Sequence, residues 1–174
     1  MEDLQYPIGK FHIDPEVTAE KRQAWIQRLA DLPDRLRQAV DDLSEEQLNV
    51  PYRPEGWTVR QVVHHLADSH VNAYLRCRLA LTEKKPRIKT YDQAAWAVLE
   101  DAESGPIHPS LSLISGLHDR WVRLFRSLPA AEFGRLLDHP EWGDISVNNL
   151  AQMYAWHSDH HVAHITGLRR REGW

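Results

Sequence analysis

The sequence predicts an all-α fold, most simply a four-helix bundle with a long crossover between its second and third helices. Four stretches carry apolar residues at steps of three and four, the spacing that puts side chains on one face of an α-helix. Strand signals are nearly absent, because the chain has no sustained apolar–polar alternation and no Asn-Gly hairpin. The irregular segment 83–107 separates the second stretch from the third, and a connection of that length allows neighbouring helices to run parallel.

Composition predicts one globular domain, residues 1–174, with residues 1–14 as an extended arm. The apolar fraction is 42%, and a net charge of −4 gives no electrostatic reason to expect a nucleic-acid partner. No apolar run approaches the ~18 residues of a membrane span, and the acidic start Met1–Leu4 is unlike a signal peptide, so no membrane partner and a cytoplasmic location are expected. The single cysteine, Cys77, allows no internal disulfide and is expected to be a small buried hydrophobe.

The first long helix is expected to begin at Asp14–Glu16, where aspartate can cap the helix and proline can occupy its first position. Pro33 interrupts the pattern and predicts a kink or a restart near Leu32, because proline removes a backbone hydrogen bond and crowds the preceding turn. The apolar face of this helix comprises Trp25, Leu29, Leu32, Leu36, Val40 and Leu43.

Two capping boxes mark the helices that follow. Ser44–Gln47 predicts a short turn of helix, and Thr58–Gln61 predicts the start of the second long helix, which extends to about Thr82. Within the crossover, the apolar pattern of residues 94–99 predicts one short helix.

The third long helix is expected to run from Pro109 or Ser110 to Leu128. Residues 129–145 contain prolines and a glycine and are expected to form loops or turns. Ser146 follows them and is the expected cap of the fourth long helix.

The fourth helix holds four of the eleven histidines within residues 156–164. His157 and His161 are one turn apart and lie within about 40° of the centre of the apolar face, so both are expected to point into the core. The other pair at this spacing, His160 and His164, is less well placed, because His160 points roughly 100° away from that centre. The phase of the helix therefore favours His157 and His161 as a pair that can bind one ion.

Three more histidines fall on the second helix. His64 points about 150° from the centre of the apolar face and is expected to be solvated. His65 lies at the edge of that face and His70 lies within it, and the angle alone does not choose between them as a partner for the pair on the fourth helix.

Several imidazoles on apolar faces indicate a shared metal ion, since each unsatisfied buried group would cost on the order of 1 to 3 kcal/mol. An all-histidine set favours zinc, nickel, cobalt or iron(II) over magnesium or calcium. Three protein ligands leave a position for water or a substrate atom, as in catalytic zinc sites. The sequence contains no HExxH motif, which argues against a zincin-type peptidase, and it also lacks a glycine-rich phosphate loop and a GxSxG elbow.

The segments Gly56–His70 and Trp156–Ile165 resemble the DinB/YfiT superfamily, and the likeness extends from Tyr6–Gly9 to Arg171–Trp174. The resemblance implies a four-helix bundle of up-down-down-up order. It also implies one divalent metal ion per chain, zinc or nickel being usual, and often a homodimer.

The same resemblance implies the ligand set. One histidine of the second helix and the HxxxH pair of the last helix bind the metal in this superfamily, and by the motif these fall on His65, His157 and His161. The choice between His65 and its neighbours on the second helix thus comes from the resemblance, whereas the phase of the fourth helix independently favours the other two.

Within the superfamily the chain most closely resembles the YfiT branch, which is described as metal-dependent hydrolases and includes bacillithiol S-transferases. The leading expectation is therefore an enzyme whose metal activates a low-molecular-weight thiol cosubstrate, bacillithiol-like, for attack on an electrophilic small molecule. A hydrolase that uses metal-bound hydroxide is the first alternative. An alternative of another class is a non-catalytic metal-binding stress-response protein with a fourth ligand such as His70 or His164.

No catalytic side chain is assigned beyond the metal-bound water or thiolate. Ser69 shares the face of His65 one turn on and is the candidate for orienting it. Tyr154, Ser69 and Trp121 are candidates for lining a pocket, although a place in the core or at the surface is the simpler interpretation for each. The run Arg169–Arg171 is expected to be a solvated helix end.

Overall fold

The computed structural model describes residues 3–174, so residues 1 and 2 of the expected arm lie outside it. Four long helices, three short ones and one hairpin make up the described chain. The long helices are α1 (Ala19–Val40), α3 (Val59–Thr82), α6 (His108–Ser127) and α7 (Val147–Glu172). The short elements are α2 (Glu45–Leu48), α4 (Gln93–Ala97), α5 (Glu100–Glu103), a 3₁₀ turn (Ala130–Gly134), β1 (Leu136–His139) and β2 (Gly143–Ser146).

The long helices form a four-helix bundle, as the sequence predicts. Helices α1 and α3 each pack against both α6 and α7, so α1 lies diagonally opposite α3. The crossover from α3 to α6 packs α4 and α5 on the outside of α3. This long connection lets the two middle helices run parallel, and the order of the bundle is up-down-down-up. No helix among residues 3–174 is both long enough and apolar enough to cross a membrane.

The core consists of two apolar clusters, one in each half of the bundle. One cluster surrounds Trp121 and Phe125, and the other surrounds Leu36 and Leu66. On α3, α6 and α7 the residues between the two clusters include buried histidines. These are His70 on α3, His118 on α6 and His161 on α7, and the half-buried His157 of α7 lies beside them. A polar layer therefore crosses the middle of an otherwise apolar core.

Helix α1 begins later than expected and is continuous. It starts at Ala19, where the Thr18 side chain accepts the N–H of Lys21 at 3.2 Å, so the expected start at Asp14–Glu16 is wrong. The backbone of Asp14 is held in the extended arm by two hydrogen bonds to the Gln152 side chain on α7. The helix passes through Pro33 without the expected restart.

Residues 129–145 form a 3₁₀ turn and an antiparallel hairpin where only loops or turns were expected. Leu137 pairs with Ile145 in the register of the two strands, and both side chains are buried. Each strand has four residues, which is too short for the alternation that identifies strands in a sequence. The crossover likewise holds two short helices, α4 and α5, where one was expected.

The caps predicted at Ser44, Thr58 and Ser146 are confirmed, and Cys77 is fully buried as expected. The solvated end expected for α7 is found at Arg170 and Arg171, which are exposed, whereas Arg169 is half-buried. Arg169 donates to the carbonyl of Ala39 at 3.1 Å, and Arg171 donates to the carbonyl of Tyr52 at 2.5 Å. These bonds attach the end of α7 to its neighbours, because both carbonyls belong to segments that pack beside it.

We expect Arg60 to stabilise the fold by holding the crossover against α3. Its guanidinium is 2% exposed and donates to Asn49 Oδ1 at 3.0 Å and to the carbonyl of Gly105 at 2.6 Å, besides an ion pair with Glu45. Arg60→Ala leaves these acceptors without their donor and should lower the free energy of unfolding by on the order of 2 to 3 kcal/mol. Urea denaturation measures this loss. Arg170→Ala, at an exposed position of α7, is the control and should change stability by less than about 0.5 kcal/mol.

Candidate metal centre

The three histidines predicted as metal ligands lie together in the polar layer. His65 comes from α3, and His157 and His161 come from α7. One ring nitrogen from each lies within 4.8 Å of the other two, and the Nε2 atoms of His65 and His157 are 3.2 Å apart. Because His157 and His161 are one turn apart on the same helix, their rings converge, with centroids separated by 4.4 Å. The arrangement thus offers three imidazole nitrogens to one point.

Burial keeps these imidazoles in the neutral form that binds a metal ion. Burial and, to a smaller extent, the nearby His164 together lower the pKa of His65 to about 4. The pKa values of His157 and His161 lie well below the usual value, again mainly because of burial and then because of neighbouring histidines. Three neutral nitrogen donors without a carboxylate fit zinc, nickel or another borderline divalent ion.

His161 is oriented by a second histidine and by the N-terminal arm. Nε2 of His164 lies 3.1 Å from the carbonyl of Gln5, and Nδ1 of His164 lies 3.3 Å from Nδ1 of His161. A carbonyl only accepts hydrogen bonds, so His164 donates from Nε2 and accepts at Nδ1. His161 must then donate from Nδ1, which leaves the lone pair on its Nε2 free for a metal ion.

A second group, His160, His161 and His164, also brings three nitrogens within 4.8 Å. It is the poorer metal site because both nitrogens of His164 already take part in hydrogen bonds. His160 stacks on Trp156, and Tyr6 of the arm lies beside it with ring centroids 5.9 Å apart. It is buried although it points away from the apolar face, because the arm covers that side of α7.

His70 lies behind the candidate ligands. Its Nε2 is 3.1 Å from Nδ1 of His157, the nitrogen on the far side of the ring from His65. His70 therefore contacts a candidate ligand and is not part of the group that converges on one point.

Ser69 does not orient His65 as expected, because its hydroxyl pairs with the hydroxyls of Tyr91 and Tyr154. Among residues 3–174, no hydrogen bond fixes Nδ1 of His65, and the ring packs against Trp57 with centroids 4.6 Å apart. The aromatic contact, which the sequence pattern did not suggest, is what positions this ring.

The expectation that His64 is solvated is wrong. His64 is 8% exposed, and its ring contacts Ser110 Oγ at 2.8 Å and the carbonyl of Gly105 at 3.3 Å. Helix α3 has a second buried face, because the crossover and the start of α6 cover the side on which His64 lies. His64 lies outside both groups of histidines that could bind a metal ion.

A pocket of about 390 Å³ opens onto the three candidate ligands. Arg53, Glu55 and Gln93 contribute polar side chains to its lining, and Trp57 and Trp156 contribute aromatic ones. We call it the polar pocket. None of Ser69, Tyr154 and Trp121 lines it, in agreement with the simpler interpretation that Tyr154 and Trp121 pack in the core. Both are buried core residues, and Tyr154 packs against the ring of His157 from the side of the core.

A second pocket of about 610 Å³ lies on the other side of Trp156 and His157, which line both pockets. We call it the apolar pocket. The arm forms one of its walls, and the hairpin and α7 form the others. Its apolar lining residues are Phe11, Ile13, Trp142, Ile145 and Met153.

Asp159, although it stands between the two ligands of α7 in the sequence, faces α1. Its carboxylate is held by Arg28 and Arg35, in ion pairs that direct it away from the imidazoles. Among the described residues, the carboxylate that lines the polar pocket is that of Glu55, which is exposed. Neither of these two carboxylates is therefore placed as a buried general base.

Comparison with known proteins shows the family and the fold. Residues 28–165 match the family model described as DinB superfamily. A protein of Bacillus cereus (strain 03BB102) and one of Bacillus anthracis (strain CDC 684 / NRRL 3495), both named "Putative metal-dependent hydrolase", are each 48% identical over 174 residues, which is 100% of this chain and of theirs. The solved structure of YfiT from Bacillus subtilis, titled a "probable metal-dependent hydrolase with an unusual four-helix bundle topology", is 47% identical, superimposes with a TM-score of 0.96 and covers 99% of each chain.

We expect the group of His65, His157 and His161 to hold the ion. His65→Ala and His157→Ala should each abolish the binding of one divalent ion per chain, because two imidazoles remain where three are needed. His160→Ala should retain it, because His160 belongs only to the second group. Elemental analysis of the purified variants measures the metal, and circular dichroism checks that the bundle persists. Loss of metal in His160→Ala together with retention in His65→Ala would instead favour the second group.

Proposed function

The chain belongs to the DinB superfamily, and on that premise we propose that it is a metal-dependent thiol S-transferase. In this proposal His65, His157 and His161 hold one divalent ion, zinc or nickel, and a low-molecular-weight thiol such as bacillithiol is transferred to an electrophilic small molecule. The observation that carries the proposal is the meeting of two unlike pockets at His157. Transfer between two substrates requires two binding regions that share one reacting point.

The two pockets suit two kinds of substrate. Arg53 and Gln93 in the polar pocket offer hydrogen-bond donors to a thiol that carries carboxylate and hydroxyl groups. The apolar pocket offers aromatic and aliphatic side chains to the carbon skeleton of an electrophile. When bound, the ion supplies a positive charge that lowers the pKa of a thiol or a water molecule in its open position.

The charges around the centre favour a thiol over water as the nucleophile. Hydrolysis by an activated water molecule is helped by a general base within hydrogen-bond reach, and Glu55 is exposed while Asp159 is held by arginines. A thiol needs no such base once its pKa is lowered, because the thiolate is itself the nucleophile.

A metal-dependent hydrolase is the second candidate function, and the names of the relatives favour it. It would use the same three histidines and the same polar pocket, but a single substrate. A non-catalytic metal-binding protein is less well supported, because its fourth ligand would have to be His70 or His164. Both of these contact the outer nitrogens of the ligands and do not face the point of convergence.

The proposal includes a homodimer and a cytoplasmic location, with no nucleic-acid or membrane partner. Several large apolar side chains on the surface of α3, the crossover and α6 offer area for a subunit interface. They are Leu75, Leu79, Val98, Leu99 and Leu113.

Conjugation of an electrophile distinguishes transfer from hydrolysis. Metal-loaded protein should conjugate monochlorobimane only when bacillithiol is present, and the rise in fluorescence should follow the concentration of both compounds. His157→Ala should lose this activity, whereas His108→Ala, an exposed histidine at the start of α6, should keep it. Breakdown of an ester or amide without thiol, and no thiol-dependent conjugation, would favour the hydrolase.

A further inference from the structure

Pro33 creates a free backbone carbonyl inside the core. In an α-helix the carbonyl of Leu29 would accept the N–H of residue 33, four positions later, but proline has no N–H. Leu29 is fully buried, so water does not replace the missing donor. The donor is a side chain of α6, because Nδ1 of His118 lies 2.6 Å from the carbonyl oxygen of Leu29.

This carbonyl begins a row of three imidazoles that ends at the metal centre. His118 Nε2 lies 2.9 Å from His70 Nδ1, and His70 Nε2 lies 3.1 Å from His157 Nδ1. The row passes from α1 through α6 and α3 to α7 and therefore joins all four long helices.

The direction of every hydrogen bond in the row follows from the group at its start, the carbonyl of Leu29. A carbonyl only accepts, so His118 must donate from Nδ1 and, being neutral, must accept at Nε2. His70 then donates from Nδ1 and accepts at Nε2, and His157 donates from Nδ1. The lone pair of His157 is left on Nε2, the nitrogen that faces His65.

We propose that Pro33 of α1 sets the tautomer of His157 through His118 and His70, and that these three are positioning residues which prepare His157 to bind a divalent metal ion. The inference rests on the proposed metal site. Its first step, the fixed tautomer, is a property of the metal-free protein and can be tested separately.

The row leaves a single arrangement of protons. Among residues 3–174, no carboxylate contacts His70 or His118, and both rings are almost wholly buried, so a charged imidazole has no partner there. Reversing the row would require the Leu29 carbonyl to donate, which it cannot do. Without the row, the His157 ring could carry its proton on Nε2, where a proton blocks a metal ion.

The tautomers are measured first, in protein freed of metal with a chelator. A long-range proton–nitrogen NMR spectrum of ¹⁵N-histidine-labelled protein should show His157 protonated at Nδ1 and bare at Nε2. In His118→Phe the row has lost its middle acceptor, and the nitrogen shifts of His157 should move towards a mixture of the two tautomers. His118→Gln keeps one donor and one acceptor and should restore most of the native pattern.

Metal affinity is measured next, by competition with a chelator. His118→Phe should weaken binding by about 10- to 100-fold, the usual cost of removing a partner of a ligand, and His118→Gln should recover part of this loss. Pro33→Ala restores a backbone N–H at position 33, which competes with His118 for the Leu29 carbonyl. It should therefore also weaken metal binding, but by less than His118→Phe does. Because this change removes a proline from inside a helix, its urea midpoint should be unchanged or higher, which separates the effect from a loss of folding.

His139→Phe is the matched control, since it removes a buried histidine outside the row. It should leave both the His157 pattern and the metal affinity unchanged. The inference is overturned if Pro33→Ala and His118→Phe leave the nitrogen pattern of His157 as in the native protein. If the protein binds no divalent metal but the tautomers respond as described, then Pro33 does set the tautomer of His157, and it is the proposed function that fails.

Discussion

The rest of the structure depends on a layer of neutral imidazoles across the middle of the bundle. An imidazole has one donor and one acceptor, and in a core each must find a partner or lose on the order of 1 to 3 kcal/mol. The partners here are other imidazoles, joined in rows from His157 to His118 and from His161 to His164. Such rows must end on groups that accept only, and both end on backbone carbonyls. As a result, the lone pairs on Nε2 of His157 and on Nε2 of His161 are both directed to the point where the candidate ligands converge.

The two carbonyls explain features of the chain that have no role in the bundle itself. The carbonyl of Gln5 belongs to the N-terminal arm, which would otherwise be a loose extension. The arm is held by hydrogen bonds between Asp14 and Gln152 and by the packing of Phe11 against Trp156. The same arm covers His160 and forms a wall of the apolar pocket. The orientation of a candidate ligand and the shape of the apolar pocket therefore depend on one segment.

Helical phase predicted what lies on one helix but not what lies between helices. It selected His157 and His161 correctly as residues that point inward, and it gave the bounds of α3 closely. It could not choose between His65 and His70 as the third candidate ligand. Both side chains are buried, and they differ only in which residues of the neighbouring helices they contact. It failed for His64, since the phase of a helix does not show that a crossover covers its outer face. The hairpin was missed for a related reason, as strands of four residues carry too little pattern.

The proline in α1 shows how a conflict with local propensity can mark a functional position. A proline inside a helix costs up to about 3 kcal/mol relative to alanine, and the bundle would be more stable without it. The sequence suggested a kink or a restart at Pro33, and the helix runs through Pro33 without a restart. What Pro33 does alter is the hydrogen bonding of Leu29, whose carbonyl is freed at the level of the histidine layer. The stability that Pro33 costs in α1 is thus accompanied by a hydrogen bond from His118, the first of the row that ends at His157 on α7.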